Sequence, residues 1–282
     1  MDENNRGRAR FISAIIIAIF GLIMYWAQVQ ENPVTGEKQH VSISPSQEIR
    51  LGLQSAPVMA KQMGGTLSQS DPKQIMVQNL GNYLVEHTVA KGSPWQFKFH
   101  VLADPDTINA FALPGGQIFI TEGLLNDLET EAQLAGVLSH EMGHVIERHS
   151  AEQMAQSALG QSLISAVGVA TADPDHPNSG YSAAMIASVV NQMLNLHYSR
   201  QDESEADIWG LKLMVQSGFN PLAMIHVMEI LQKADRGGHS IEMFQTHPNP
   251  AIRIKDIQAY LEKNPPPKDL KEGRNLKQIT HH

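Results

Sequence analysis

The clearest pattern along this chain is a stripe of apolar residues with helical spacing. Thr130 is a residue type that begins helices, and Gln133, three positions later, completes a capping-box pattern. Gly136 and Gly143 are poor helix formers, and we expect them to let another element approach the helix closely. The apolar positions, which predict one buried helix face, are Leu134, Val137, Leu138, Met142 and Val145.

Other stretches predict a small sheet and further helices. Apolar and polar residues alternate from Trp95 to Val101, which is the period of a half-buried strand. Residues 113–116, Leu-Pro-Gly-Gly, break two apolar runs and predict a turn between strands. The fold class is therefore α+β and mainly helical, with a small antiparallel sheet beside the Thr130 helix. Three more helices are expected, beginning at Ser44 or Ser46 and ending near 62, over roughly 71–91 and over 151–170.

The N-terminal residues have the pattern of a membrane anchor. Arg6, Arg8 and Arg10 precede an apolar stretch of about 17 residues that begins at Phe11, near the short limit for crossing a bilayer. No A-x-A cleavage pattern follows it, so we favour an uncleaved signal anchor over a cleaved signal peptide. The arginines predict a cytoplasmic N-terminus, with the main domain anchored to the inner membrane and facing the periplasm or cell exterior. If the segment is cleaved, the domain is expected to be soluble in the periplasm.

These patterns predict five segments: a cytoplasmic N-terminus (1–10), a transmembrane helix (11–28), a linker (29–44), one large domain (45–264) and a tail (265–282). Within the large domain, the polar residues 172–180 are either a lid over a cleft or a plain connector.

Composition excludes several functions. The formal net charge of -8 argues against nucleic acid as a partner. The absence of cysteine excludes disulfides, thiol catalysis and a lipoprotein anchor.

Residues 140–144 carry the pattern H-E-x-x-H inside the predicted Thr130 helix. His140 and His144 are four residues apart, so both imidazoles lie on one helix face and can reach a single metal ion. Glu141 lies beside that face and could act as a base on a water molecule. Two neutral nitrogen ligands and a carboxylate base are typical of a hydrolytic zinc site.

Catalytic zinc usually takes three protein ligands and leaves one position open. Glu147 and Ser150 stand where the extended form of the motif has glycine and histidine, and the chain has no cysteine. His149 is one residue out of place and is expected to point to another face.

The remaining common solution is a glutamate on a second helix. Glu203 and Asp207 are four residues apart and share a helical face. We assign Glu203 to the metal and Asp207 to the support of a ligand imidazole. Glu205 is rotated by roughly 200° from Glu203 and is expected to point elsewhere.

Together, H-E-M-G-H and the later S-R-x-x-E-x-E-A-D resemble the gluzincin zinc metallopeptidase family that includes HtpX and the CAAX prenyl proteases. The chain is most similar to its BepA-type branch of cell-envelope peptidases, without the tetratricopeptide repeats. Four further stretches carry that similarity: residues 32–36, 109–116, 217–221 and 246–250 with Arg253.

The resemblance implies a zincin-like domain with one Zn²⁺ per chain and a role for His247. His247 lies in the T-H-P-N-P turn, where the family histidine can approach the metal, so it is a possible fourth, gating ligand. Arg253 is expected to anchor the acidic residues around Asp207. Tyr198 and Arg200 are expected to pack and form salt bridges, with contact to the transition state or substrate as the alternative.

The predicted function is zinc-dependent endoproteolysis of unfolded or misassembled envelope proteins, with extended polypeptide as substrate. The free sheet edge could pair with such a peptide, which gives weak sequence preference. One alternative is an envelope assembly chaperone, or holdase, that uses the same cleft with little catalysis. Another is a zinc hydrolase that acts on a substrate other than a peptide.

Overall fold

The computed structural model describes residues 3–159, 197–236, 242–243, 247 and 250–279. The predicted loop 172–180, the second half of the predicted helix 151–170 and the terminal histidines lie outside these residues. The α-helices in chain order are α1 (Glu3–Ala27), α2 (Pro45–Gln62), α3 (Pro72–Glu86), α4 (Glu122–Asp127), α5 (Glu131–Ile146), α6 (149–159), α7 (Arg200–Gln216), α8 (Ala223–Arg236), α9 (Pro250–Lys263) and α10 (Leu276–Ile279), and a short 3-10 helix spans Val89–Gly92.

The strands are β1 (Val29–Glu31), β2 (Lys38–His40), β3 (Lys98–Leu102), β4 (Ala110–Leu113) and β5 (Gln117–Thr121). They form two sheets. One is an antiparallel hairpin of β1 and β2; the other has three strands in the order β3-β5-β4. β4 pairs antiparallel with β5, but β3 pairs parallel with β5. The expectation of a purely antiparallel sheet was therefore wrong, because β5 inserts between its two predecessors.

The predicted turn between β4 and β5 is present and packs against α2. Gly115 has a φ of 78°, a left-handed conformation that favours glycine. A Cβ atom there would lie 2.4 Å from the Cα of Ile49, so the turn approaches the α2 backbone too closely for any side chain. This contact fixes the sheet against α2 at one end.

Helix α5 lies in the centre of the core. Every residue from Ala132 to Ile146 is buried, including the polar ones. The predicted apolar stripe packs in the main hydrophobic cluster with the sheet, α3 and α8. The opposite side, which a surface helix would expose to water, faces α7 instead. The site therefore lies inside the molecule.

A helix covers the N-terminal segment, but no helix among the described residues is long and apolar enough to cross a membrane. The transmembrane prediction for residues 11–28 is therefore not supported.

The segment expected to be a linker holds the β1–β2 hairpin and covers the end of α5. The side-chain amide of Asn32 donates to the carbonyl of Ile146 at 2.7 Å, and that of Gln39 donates to the carbonyl of Glu147 at 2.5 Å. These are two of the carbonyls that a helix end leaves without partners.

The segment expected to be a loose tail also packs on the domain. The amide of Lys271 donates to the carbonyl of Gly218 at 2.9 Å, and the amide of Leu276 donates to that of Glu129 at 2.9 Å. The Leu276 side chain is buried. Residues 271–276 thus lie along the start of α5 and the end of α7.

Candidate metal centre

Local signals in the sequence set the start of α5. The hydroxyl of Thr130 accepts from the Gln133 amide at 3.3 Å, and the Gln133 side chain accepts from the Thr130 amide at 3.3 Å. The predicted capping box is therefore present. From this start, the 3.6-residue repeat puts His140 and His144 on the same side of the helix.

Helix α7 lies very close to α5 at Gly143. A Cβ atom on Gly143 would lie 2.8 Å from the carbonyl oxygen of Ala206, well inside ordinary contact distance. The expectation that this glycine admits another element is confirmed. Ser199 and Asp202 form a capping box that begins α7, so Glu203 lies in the first turn of the helix.

Four buried side chains converge between these helices. His140, His144, Glu203 and His247 each offer a ligand atom, and these atoms all lie within 4.8 Å of one another. The Nε2 atoms of His140 and His144 are 3.1 Å apart. Oε1 of Glu203 lies 3.5 Å from Nε2 of His144 and 2.7 Å from Nδ1 of His247.

The donor set fits a zinc ion. Imidazole nitrogens and a carboxylate oxygen are the ligands that zinc takes in hydrolytic sites. Burial lowers the pKa of His144 well below its usual range, so the imidazole is neutral, as a ligand must be. Burial alone would raise the pKa of Glu203, but His247 and Arg253 hold it well below its usual range.

Asp207 and Arg253 lie behind the ligand atoms. Oδ1 of Asp207 is 3.0 Å from Nδ1 of His140, on the side of the ring away from the cluster. Arg253 donates to both carboxylate oxygens of Asp207, at 2.6 and 2.8 Å, and its Nη1 lies 2.7 Å from Oε2 of Glu203. The arginine thus links two buried carboxylates that carry like charge.

Glu141 lies next to the cluster without a partner. It is fully buried, and neither of its carboxylate oxygens has a hydrogen-bond partner among the described residues. Its closest charged neighbour is Nε2 of His247, at 3.7 Å. Burial raises the pKa of Glu141, while His247 and His140 counteract this effect. A carboxylate with a raised pKa and free lone pairs is a stronger base than one exposed to water.

Tyr198, which precedes α7, and Arg200, its first residue, have different environments. The ring of Tyr198 stacks on His144 with centroids 3.8 Å apart, and its hydroxyl lies 3.3 Å from Oγ of Ser150. Arg200 is exposed and lines a small cavity between α7 and α9, together with Glu203 and Arg253. Tyr198 therefore packs directly on the cluster, whereas Arg200 lies at its outer side.

The sequence reasoning missed His149 and Glu205. His149 was expected to face away, but its Nδ1 lies 2.9 Å from Nδ1 of His144, and its Nε2 lies 3.1 Å from Glu205. The cause is a break in the helix: α5 ends at Ile146, and Arg148 has a φ of 59°. Helical spacing does not continue across a left-handed residue, and nothing in the local sequence marks Arg148 for that conformation.

A buried helix with H-E-x-x-H, facing a second helix with a glutamate, defines a metallopeptidase centre. The chain belongs to peptidase family M48, whose family model matches residues 72–261. It is similar to the mitochondrial metalloendopeptidase OMA1 of Schizosaccharomyces pombe, with 30% identity over 256 residues, which cover 90% of this chain and 72% of that protein.

Two bacterial relatives support the same family. The beta-barrel assembly-enhancing protease of Escherichia coli K12 is 30% identical over 231 residues, which cover 80% of this chain and 46% of that protein. Metalloprotease LoiP of the same organism is 33% identical over 167 residues, which cover 59% of this chain and 63% of that protein. The chain spans less than two thirds of either bacterial protein. The predicted gluzincin membership is confirmed, and the chain is a metal-dependent hydrolase of peptide bonds.

Proposed function

We propose that this protein is a zinc-dependent endopeptidase that cleaves unfolded or misassembled proteins of the cell envelope. His140, His144 and Glu203 hold one zinc ion, and Glu141 is the general base. The observation that carries this proposal is the buried, unpartnered carboxylate of Glu141 beside the converging ligand atoms. An unpartnered buried carboxylate is costly, so its retention beside such a cluster favours a role in catalysis.

When bound, zinc would lower the pKa of water and polarise the scissile carbonyl. Glu141 takes the proton of the attacking water and delivers it to the leaving amine. Asp207 accepts from Nδ1 of His140, which leaves Nε2 of that ring free to bind the metal. The buried surroundings exclude bulk water and so keep these charges effective.

The sheet supports an extended peptide as the substrate. β4 is an outer strand of the three-stranded sheet and packs beside α5. A chain that pairs with β4 would be recognised mainly by its backbone, which requires an unfolded segment and gives weak sequence preference. The names of the two bacterial relatives describe proteases, one of them beta-barrel assembly-enhancing. They support an envelope location and a role in protein quality control.

Replacement of the base tests this function. Glu141→Gln should keep zinc and fold but lose turnover of casein by roughly 10² or more, because the amide cannot accept the water proton. Zinc content and peptide release are measured on the same purified samples. Glu152→Gln, at a half-buried carboxylate on α6, is the control and should retain activity.

Two results would contradict the proposal. Proteolysis by Glu141→Gln at the wild-type rate removes the assignment of the base. A wild-type protein that protects unfolded casein from aggregation without cleaving it, with or without a chelator, identifies a holdase instead.

A further inference from the structure

Three polar side chains form a chain of contacts that leads away from His144. Nδ1 of His144 lies 2.9 Å from Nδ1 of His149, and Nε2 of His149 lies 3.1 Å from Oε2 of Glu205. The other oxygen of Glu205 accepts from the side-chain amide of Gln201 at 2.9 Å. The chain of contacts thus runs from a buried imidazole, through a second buried imidazole, to a partly exposed carboxylate.

The direction of the hydrogen bonds follows from His144. Its Nε2 faces the cluster, 3.1 Å from Nε2 of His140, and must be unprotonated to bind a metal. A neutral imidazole has one donor and one acceptor nitrogen, so Nδ1 of His144 carries the proton. Because that proton is directed at Nδ1 of His149, the latter nitrogen must accept it.

The same rule then applies to His149. With Nδ1 as acceptor, its proton is on Nε2, which needs an acceptor of its own. Glu205 supplies one, since an ionised carboxylate can only accept. If His149 adopted the other tautomer, two N–H groups would oppose each other at 2.9 Å in a buried site.

The fold holds this arrangement in place. Arg148 has a φ of 59°, and the amide of Ala151 donates to its carbonyl at 2.8 Å, so α6 starts with His149 turned back towards α5. His149 is only 1% exposed. The ring of Tyr198 stacks on His144 and lies near His149, which restricts rotation of His144.

We propose that His149 and Glu205 are positioning residues for His144: Glu205 selects the tautomer of His149, and His149 holds the His144 ring with Nε2 towards the metal. This inference rests on the zinc site proposed above. His140 is held directly by a buried carboxylate, Asp207, whereas His144 is held through an intermediate ring by a carboxylate that water reaches.

The same contacts explain why a second group of potential metal ligands lies close together. His149, Asp202 and Glu205 lie close enough to one another to hold an ion. Both nitrogens of His149 are used in the chain of contacts, and Asp202 accepts from the Ser199 amide at 2.8 Å in the capping box of α7. This group therefore supports the first site and is not a second metal site.

Zinc affinity of the full-length protein, measured by competition with a chromogenic chelator, tests the proposal. Glu205→Ala and His149→Phe should each weaken binding roughly 10- to 100-fold, the usual effect of removing a group that orients a ligand. Glu205→Gln should restore most of the affinity, because the amide oxygen still accepts from His149. Glu152→Ala removes a nearby carboxylate that has no hydrogen bond to His149, and should bind zinc like wild type.

A second measurement needs no variant. Two-bond ¹H–¹⁵N spectra of the zinc-loaded wild-type protein should show His149 protonated on Nε2 alone. Protonation on Nδ1, or wild-type affinity in both Glu205→Ala and His149→Phe, would overturn the inference. If the wild-type protein itself binds no zinc, the proposed function fails with it, whereas tight wild-type binding with unaffected variants removes only the role of His149 and Glu205.

Discussion

Each side chain of the metal cluster is buried, so its charge must be balanced by its immediate neighbours. Glu203 has the central position: it lies 2.7 Å from Nδ1 of His247 and 2.7 Å from Nη1 of Arg253. Burial would otherwise raise its pKa, and these two groups keep it ionised. One carboxylate thus balances an imidazole and a guanidinium, and it can do the same for a metal ion.

Removal of this carboxylate should abolish stoichiometric metal binding. We expect Glu203→Ala to lose zinc affinity by more than the roughly 100-fold that a supporting group contributes, because a direct ligand is lost. Zinc content after dialysis is the measurement, with Glu229→Ala, at an exposed position on α8, as the control. Glu205→Ala should be weakened but still fill with zinc at saturation. Equal zinc content in Glu203→Ala and wild type would remove Glu203 from the ligand set.

His247 is expected to restrain the site. Burial would lower the pKa of His247, but Glu203 and Glu141 raise it above its usual value. The ring lies among the ligand atoms, and once it has lost its extra proton it would fill the position that a catalytic zinc leaves open for water. His247→Ala should therefore bind zinc about as before and cleave an unfolded substrate faster.

X-ray absorption should then show one nitrogen fewer around the zinc in His247→Ala. A slower variant with unchanged zinc coordination would mean that His247 contacts substrate or shapes its turn, and that no gate exists.

At the scale of elements, the distance between α5 and α7 determines whether the ligands meet. α5 supplies two histidines and α7 supplies Glu203, and the helices touch where Gly143 faces Ala206. Small residues at such a contact allow backbones to approach, and a single methyl group changes the separation. Gly136 lies two turns earlier on the same helix, where a Cβ atom would meet its nearest neighbour at 3.6 Å, an ordinary contact.

This difference provides a matched pair of substitutions. Gly143→Ala should destabilise the protein by about 1–3 kcal/mol through overpacking and should weaken zinc binding, because α7 carries Glu203 away from α5. Gly136→Ala should be neutral or stabilise by up to about 1 kcal/mol through helix propensity. Denaturant unfolding and chelator competition measure the two effects. Equal behaviour of the two variants would show that the helix spacing is not critical.

At the scale of the whole molecule, segments distant in sequence enclose the metal domain. The guanidinium of Arg148, just after α5, donates to Glu48 at 2.6 and 2.9 Å and to the carbonyl of Ile43 at 2.8 Å. Both charged partners are buried. Burial raises the pKa of Glu48 to about 7, although Arg148 acts in the opposite direction. The start of α2 is thus linked by a buried ion pair to Arg148, whose backbone is left-handed and which lies beside the site.

Glu48→Ala leaves the Arg148 guanidinium buried without its counter-charge. We expect it to cost about 3–5 kcal/mol of unfolding free energy at pH 8, where Glu48 is ionised. Lys73→Ala is the control: it breaks a partly exposed pair with Glu122, and such pairs contribute about 1 kcal/mol or less. Urea unfolding of chelator-treated protein separates this effect from metal binding. A loss no larger than that of the control would show that the ion pair does not hold the segment.

The sequence by itself determined what depends on neighbours within a few residues. The Thr130 capping box, the shared face of His140 and His144 and the turn after β4 follow from side-chain chemistry and helical spacing. The sequence also led to Glu203 as the third metal ligand, because the chain has no cysteine and lacks the third histidine of the extended motif.

Only the tertiary structure decided the features that depend on distant contacts. In the sheet, β5 lies between β3 and β4. His149 faces α5 because Arg148 is left-handed. The expected linker and tail pack against α5. The Arg148 contacts span 100 residues to Glu48 and 105 to Ile43. Local periodicity carries no information about which distant segment supplies a partner, because that choice is made by packing and by the need to satisfy buried polar groups.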